Sequence, residues 1–249
     1  MWVSEIPRYA PMAIPSEPPR LALLISRNEG AQPLAIEQKL LDSAALGEPA
    51  ACVWEPGPSL VVPSTYQRYD RFPMLCERFE RRGWPVWVRR SGGGLVPQDR
   101  GVVNLSLAWR TEADMATGTT RVYQALCSLL QDAVEPFGID LTAQAVSGSF
   151  CDGRFNLAMK GRKVAGTAQY WQRLSKTEHV VLAHACLMVR ADLALLTQRA
   201  NEFEGQLGSD KLYEQDAIVN LLGDEPSSPT TSAVLLSLRD TLRERAVLC

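Results

Sequence analysis

Histidine is nearly missing from this chain: its 249 residues include two, His179 and His184. A Ser-His-Asp nucleophile would have to recruit one of them, which disfavours that chemistry from the outset. None of the six cysteines (Cys52, Cys76, Cys127, Cys151, Cys186, Cys249) sits in a C-x-x-C pair. Closely spaced zinc ligands are therefore lacking, and no metal is expected. No uncharged apolar run approaches the roughly 18 residues of a membrane-spanning helix. Residues 1–19 also lack the basic-then-apolar pattern of a signal peptide. The expected setting is the cytoplasm, with no membrane partner and with cysteines that are mostly small, reduced and buried. Charge of one sign is not in excess either, since 26 Lys and Arg face 28 Asp and Glu for a net −2. That balance argues against a general nucleic-acid binder.

What is present is an ordinary globular composition, 46% hydrophobic and 22% charged, which excludes a disordered chain. Residues 1–29 read as an irregular proline-rich arm, with Pro7, Pro11, Pro15, Pro18 and Pro19, and residues 30–249 as a single domain with a helical tail. Helical spacing is found at 34–46, 70–82 and 119–137, and in pieces at 193–203, 212–222 and 232–247. Strand patterns occupy 51–54, 59–62, 85–89, 102–109, 139–146, 155–159, 164–171 and 179–189. The first two flank Pro56-Gly57-Pro58 and read as a hairpin, and 102–109 reads as the partner of 85–89. Connections too short for crossover helices favour an α+β layer over a doubly wound sheet.

Two segments stand out chemically. Arg89-Arg90-Ser91-Gly92-Gly93-Gly94 joins two strand patterns through three residues without Cβ atoms, so backbone can approach a ligand closely there. A plain glycine turn fits the same residues, and the run matches neither the Walker nor the dinucleotide fingerprint. The second segment runs from Gly148-Ser149-Phe150-Cys151-Asp152-Gly153 through Gly161-Arg162-Lys163-Val164-Ala165-Gly166-Thr167-Ala168. Cys151 falls among turn formers near cations, which favour a thiolate, although a lone cysteine can equally be inert packing. Lys163 can be a solvated surface residue, or a pocket amine able to act as acid or base. Between residues 81 and 110 six arginines face Asp99 alone (+5), and between 151 and 173 five cations face Asp152 alone (+4). This concentration suggests an anionic or acidic partner.

Arg89 to Asp99, with Gly101 and Asn104-Leu105-Ser106, resembles the signature loop of the biotin/lipoate protein ligase family. Gly161 to Gln169 resembles its lysine block. Glu37-Gln38-Lys39-Leu40-Leu41-Asp42 and His184-Ala185-Cys186 fit as well, so the resemblance covers roughly 30–220. It implies the α+β catalytic domain shared with class II aminoacyl-tRNA synthetases, acting on a lysine of an acceptor domain. It implies a substrate site of Arg89, Arg90, Ser91, Gly92, Gly93, Gly94, Gly166, Thr167, Ala168 and His184, with the glycine loop lining the acyl pocket and Lys163 on the acyl carbonyl. The stretch around Cys151 is similar to the octanoyltransferase branch in which that cysteine is the acyl acceptor, Cys151 and Lys163 being catalytic.

The donor implied is acylated acyl carrier protein or glycine-cleavage H protein, the acceptor a lipoyl domain, and no cofactor is needed. Three places depart from the family pattern. Arg154-Phe155-Asn156-Leu157 stands where ligases have Arg-Asn-Asp-Leu, Gln98 replaces a histidine, and Pro63 to Gln67 replaces Gly-Arg-x-Gln. The rival readings are an ATP- and magnesium-dependent lipoate ligase and a non-catalytic acyl-binding protein. His184 is read as a hydrogen-bonded strand residue rather than the base, and Cys186 as a weaker nucleophile.

Overall fold

A computed structural model describes residues 22–26, 33–223 and 230–245. Seven strands form one sheet in the order β1 (Ala22–Ser26), β2 (Ala50–Trp54), β6 (Val102–Thr111), β10 (His179–Met188), β9 (Arg162–Arg173), β8 (Asn156–Met159), β7 (Thr142–Gln144). Only β1 and β2 run parallel within it. A second sheet has the order β4 (Val86–Arg89), β3 (Ser59–Pro63), β5 (Val96–Gln98). The helices are α1 (Pro33–Ala45), α2 (Phe72–Arg81), α3 (Met115–Val134), α4 (Leu193–Leu207) and α5 (Thr231–Glu244). The architecture is α+β, as the short connections predict.

Period-two alternation gives the central strands two different faces. Val103, Leu105 and Leu107 of β6 join Ala183, Ala185 and Leu187 of β10 in a core with Leu126, Leu129 and Leu130 of α3 and Leu235 and Leu238 of α5. The opposite face is built from cross-strand rows. One row is Trp54–Asn104–Cys186–Gly166 and the next is Cys52–Ser106–His184–Ala168. Beside these rows α1 packs Leu40, Leu41 and Ala44 on Ala50, Ala108 and Leu182. The small sheet makes a separate core, Leu60 and Val62 packing with Phe72 and Phe79 of α2 and Phe203 of α4.

Several expectations are corrected. The strands at 51–54 and 59–62 do not form a hairpin: β2 belongs to the large sheet and β3 to the small one. Pro56 and Pro58 have no N–H to donate, so the segment crosses between sheets instead of turning back on itself. Nor does β6 pair with β4, which runs parallel to β3. Between them lies β5, an edge strand in which Pro97 hid the pattern. The segment 212–222 is not helical beyond a 3-10 turn at Gln215–Ala217. Its backbone N–H groups go to neighbouring strands, Val219 to Lys163 O (2.9 Å) and Leu221 to Met188 O (2.7 Å). The strand expected at 139–146 is reduced to β7. Of the arm assigned to 1–29, residues 22–26 form the edge strand β1, and the rest lies outside the described residues. Cys249 lies outside them too.

The end of the signature loop holds the two sheets together. Asp99 Oδ1 accepts from Gly101 N and its Oδ2 from Asp192 N, each at 2.8 Å. Gly101 O accepts from Val189 N and Arg190 N. A Cβ on Gly101 would lie 2.0 Å from the Arg190 carbonyl oxygen, a backbone atom with no room to move aside. Gly101→Ala is expected to destabilise the protein by about 2–3 kcal/mol or more through overpacking. Urea denaturation beside the wild type measures this.

Candidate active site

Cys151 occupies a loop between β7 and β8 and has φ 52°, a left-handed conformation that costs a side-chain-bearing residue about 1–2 kcal/mol. Its carbonyl oxygen is held three times, by Gly153 N, by Asn156 Nδ2 and by Lys163 Nζ, each at 2.9 Å. Strain maintained so firmly by its surroundings marks a place where geometry matters. The thiol packs on the glycine loop, where a Cβ on Gly93 (φ 103°) would stand 2.5 Å from Cys151 Sγ. Gly94 lies against the Cys151 backbone.

Lys163 is 3% exposed. Its Nζ donates to the carbonyls of Phe150 and Cys151. Burial pushes the amine down to about 8, opposed chiefly by the attraction of a Cys151 thiolate. A neutral amine has two N–H donors, and both are in use here, which leaves one tetrahedral position of Nζ for chemistry. A Cβ on Gly166 would come within 3.0 Å of Nζ, so the glycine keeps that side open.

Arg89 is the second buried cation at the thiol. Its Nη1 donates to Val61 O (3.0 Å), and its Nη2 donates to Gly92 O (2.9 Å) and Gly94 O (2.7 Å). Burial pushes the guanidinium down and a Cys151 thiolate opposes this. The loop carbonyls that would otherwise repel a thiolate are thus turned onto Arg89.

Ser91 Oγ lies 2.8 Å from His184 Nε2, and His184 Nδ1 lies 2.5 Å from Glu37 Oε1. These two hydrogen bonds tie the glycine loop to β10 and α1. Arg90 instead faces outward, donating to Gln38 Oε1 (2.5 Å).

Over the two cross-strand rows lies a cavity walled by Trp54, Trp87, Val96, Phe150 and Met188. Cys151, Lys163, Arg89, Gly166, Thr167, Ala168 and His184 also line it, so these expected site residues are brought together. Ser91, Gly92, Gly93 and Gly94 are not among its lining residues; Gly93 and Gly94 lie against Cys151, and Ser91 reaches His184. Cys186 lines the cavity, but burial pushes its thiol up to about 11, which keeps it protonated at neutral pH. Cys76 and Cys127 are pushed up to about 11 by burial as well.

Several residues of the site carried no sequence signal of their role. Asn156 marked only a departure from Arg-Asn-Asp-Leu, yet it holds the Cys151 carbonyl. Gln98, another departure, pairs amide to amide with Asn104 at 3.2 and 3.3 Å. Glu37 belongs to a helix pattern whose period gave its face but not its histidine partner.

Among solved structures, a lipoate-protein ligase A bound with ATP superimposes with a TM-score of 0.63 at 16% identity, covering 90% of this chain and 84% of that one. The fold is therefore the lipoate-protein ligase catalytic fold. The chain belongs to the lipoyl protein ligase A/B catalytic domain family, whose sequence model matches residues 29–228. An uncharacterised protein of Cupriavidus necator is 42% identical over 229 residues, 86% of this chain and 90% of the relative. An octanoyl-[GcvH]:protein N-octanoyltransferase of Kyrpidia tusciae is 34% identical over 191 residues. That match takes in 70% of this chain and spans 64% of the relative's length.

Two consequences can be measured. Gly93→Ala puts a methyl group where Cys151 Sγ packs and demands an unfavourable φ, so iodoacetamide alkylation of Cys151 should change by roughly tenfold or more while the fold persists. Lys163 binds its proton less tightly folded (about 8) than unfolded (10.5). Between those values the unfolded chain holds the extra proton, so stability rises with pH. Relative to Lys163→Met, the wild type should gain stability from pH 8 to 10.5 in urea titrations.

Proposed function

We propose that this chain moves an octanoyl or lipoyl group from a thioester donor to a lysine of a lipoyl-type acceptor domain, through an acyl-enzyme on Cys151. The observation that carries this reading is the Cys151 loop itself, with its thiol set between two buried cations at the edge of an apolar cavity. The donors that fit are acylated glycine-cleavage H protein and acyl carrier protein. The name of the Kyrpidia tusciae relative supports the former.

In the first step Lys163, neutral at its open position, takes the Cys151 proton, and the thiolate attacks the donor carbonyl. A new C–S bond forms, the donor C–S bond breaks, and the leaving thiolate takes the proton back from Lys163. One thioester replaces another at nearly equal free energy, so ATP and a metal have no part in this step. In the second step the acceptor amine attacks the Cys151 thioester. The C–N bond forms, the C–S bond breaks, and the amine proton passes through Lys163 to the departing Cys151 thiolate. The amide is more stable than the thioester, which drives transfer forward. The apolar walls favour the neutral form of the incoming lysine, the form able to attack.

Intact-protein mass spectrometry after mixing with octanoyl-H protein or octanoyl-acyl carrier protein, without ATP, tests this directly. The wild type should gain one hydroxylamine-labile octanoyl group, and Cys151→Ala none. Lys163→Met should transfer roughly 100-fold more slowly or worse, and should lose a rise in rate through pH 8. Acceptor modification by Cys151→Ala supplied with ATP and free octanoate would overturn the reading in favour of a ligase.

A further inference from the structure

Glu204 of α4 does not line the cavity and is 0% exposed. Its Oε1 accepts from the Tyr66 hydroxyl (2.5 Å) and the Tyr213 hydroxyl (2.8 Å). Among the described residues its Oε2 has no hydrogen-bond partner. A carboxylate buried this deeply is costly, and one oxygen goes uncompensated, so fold stability alone is a poor reason for it.

The two phenols lead to the two loops that meet at Cys151. Tyr66 follows β3 in a 3-10 turn (Ser64–Arg68) and shares its buried core with Leu95, the residue next after Gly94. Lys211 Nζ reaches the same oxygen at 3.0 Å and sits 5.0 Å over the Tyr66 ring, placing a cation beside the cluster. Tyr213 packs edge-on against Phe150, ring centroids 5.1 Å apart. Phe150 precedes Cys151, and its carbonyl is one of the two that Lys163 holds. Beside Tyr213, Glu214 N donates to Gly148 O at 2.8 Å, a second tie to the cysteine loop. Burial and the Glu204 carboxylate push both phenols above their ordinary range, so both stay donors.

We infer that Glu204 is a positioning residue which, with Tyr66 and Tyr213 as its two arms, fixes the glycine loop against the Cys151 loop. One carboxylate oxygen is the common anchor of both loops, and the contact that it sets is the one between Gly93 and Cys151 Sγ. The consequence for turnover rests on the acyl transfer proposed above; the consequence for the thiol does not.

Peptide-resolved iodoacetamide alkylation of Cys151, at pH 7.5 and well below the melting temperature, needs no acyl donor. The variants are Glu204→Gln and Tyr213→Phe, the second keeping the ring that packs on Phe150. Both are expected to change the Cys151 alkylation rate several-fold. In octanoyl transfer both should lower kcat by about tenfold while moving KM less than about twofold, since misplacement of the reacting groups is felt in the transition state. Tyr66→Phe combined with Tyr213→Phe should match Glu204→Gln rather than exceed it. An unchanged Cys151 alkylation rate in both Glu204→Gln and Tyr213→Phe, whatever happens to the melting temperature, would overturn the inference. A wild type that transfers no acyl group would count against the proposed function alone, because the alkylation comparison still decides the role of Glu204.

Discussion

A buried amine ties the Cys151 loop to the sheet. Lys163 reaches from β9 to the carbonyls of Phe150 and Cys151, and these two hydrogen bonds hold a left-handed residue that would otherwise relax. Taking an amine out of water weakens its hold on a proton, and on the Cys151 carbonyl this amine is joined by Asn156 Nδ2 and Gly153 N. The loop's geometry and the amine's weakened hold on its proton thus have one cause here, because the burial that makes the hydrogen bonds strong also brings the amine toward neutrality. The second hold on the loop is shape, since only a residue without a Cβ lets the thiol rest where it does against Gly93.

Much of this could be read from the chain beforehand, for identifiable reasons. The existence of β6, β9 and β10 followed from the pattern, which stopped short of Thr111 in β6 and of both ends of β9. The glycine run stood out by residue type, and Lys163 by its place in a block resembling the family's. Other parts were hidden by physics that local pattern does not carry. Residues 212–222 have helical spacing, but their N–H groups find better partners in Lys163 and Met188 than in one another. The Pro-Gly-Pro segment looks like a turn, yet whether a turn returns to the same sheet depends on hydrogen bonds made elsewhere. The strand β5 was concealed by its proline, tolerated because the strand lies at an edge.

The site shows the same division. Residue types able to carry the proposed chemistry, Cys151 and Lys163, are visible in one dimension, whereas the residues that support them are not. Arg89 looks like a ligand for a substrate anion, but its nitrogens hold the carbonyls of residues 61, 92 and 94. The His184–Glu37 pair joins residues 147 positions apart, and the Tyr66–Glu204 pair residues 138 apart. Pairings at such separations are set by topology, and neither partner has a local pattern that announces the other.

Alternation along β6 and β10 has a consequence for how such a protein can change. Val103, Leu105, Leu107, Ala183, Ala185 and Leu187 are locked into the α3 and α5 core, while Asn104, Ser106, His184 and Cys186 between them pave the cavity. A substitution at Asn104, Ser106 or Cys186 alters what the cavity accommodates and leaves the folding core on the far side of the sheet intact. The sheet works as a partition between what makes the protein fold and what it accepts, so preference for one acyl chain over another can drift, or be redesigned, with little cost to the stability of the scaffold.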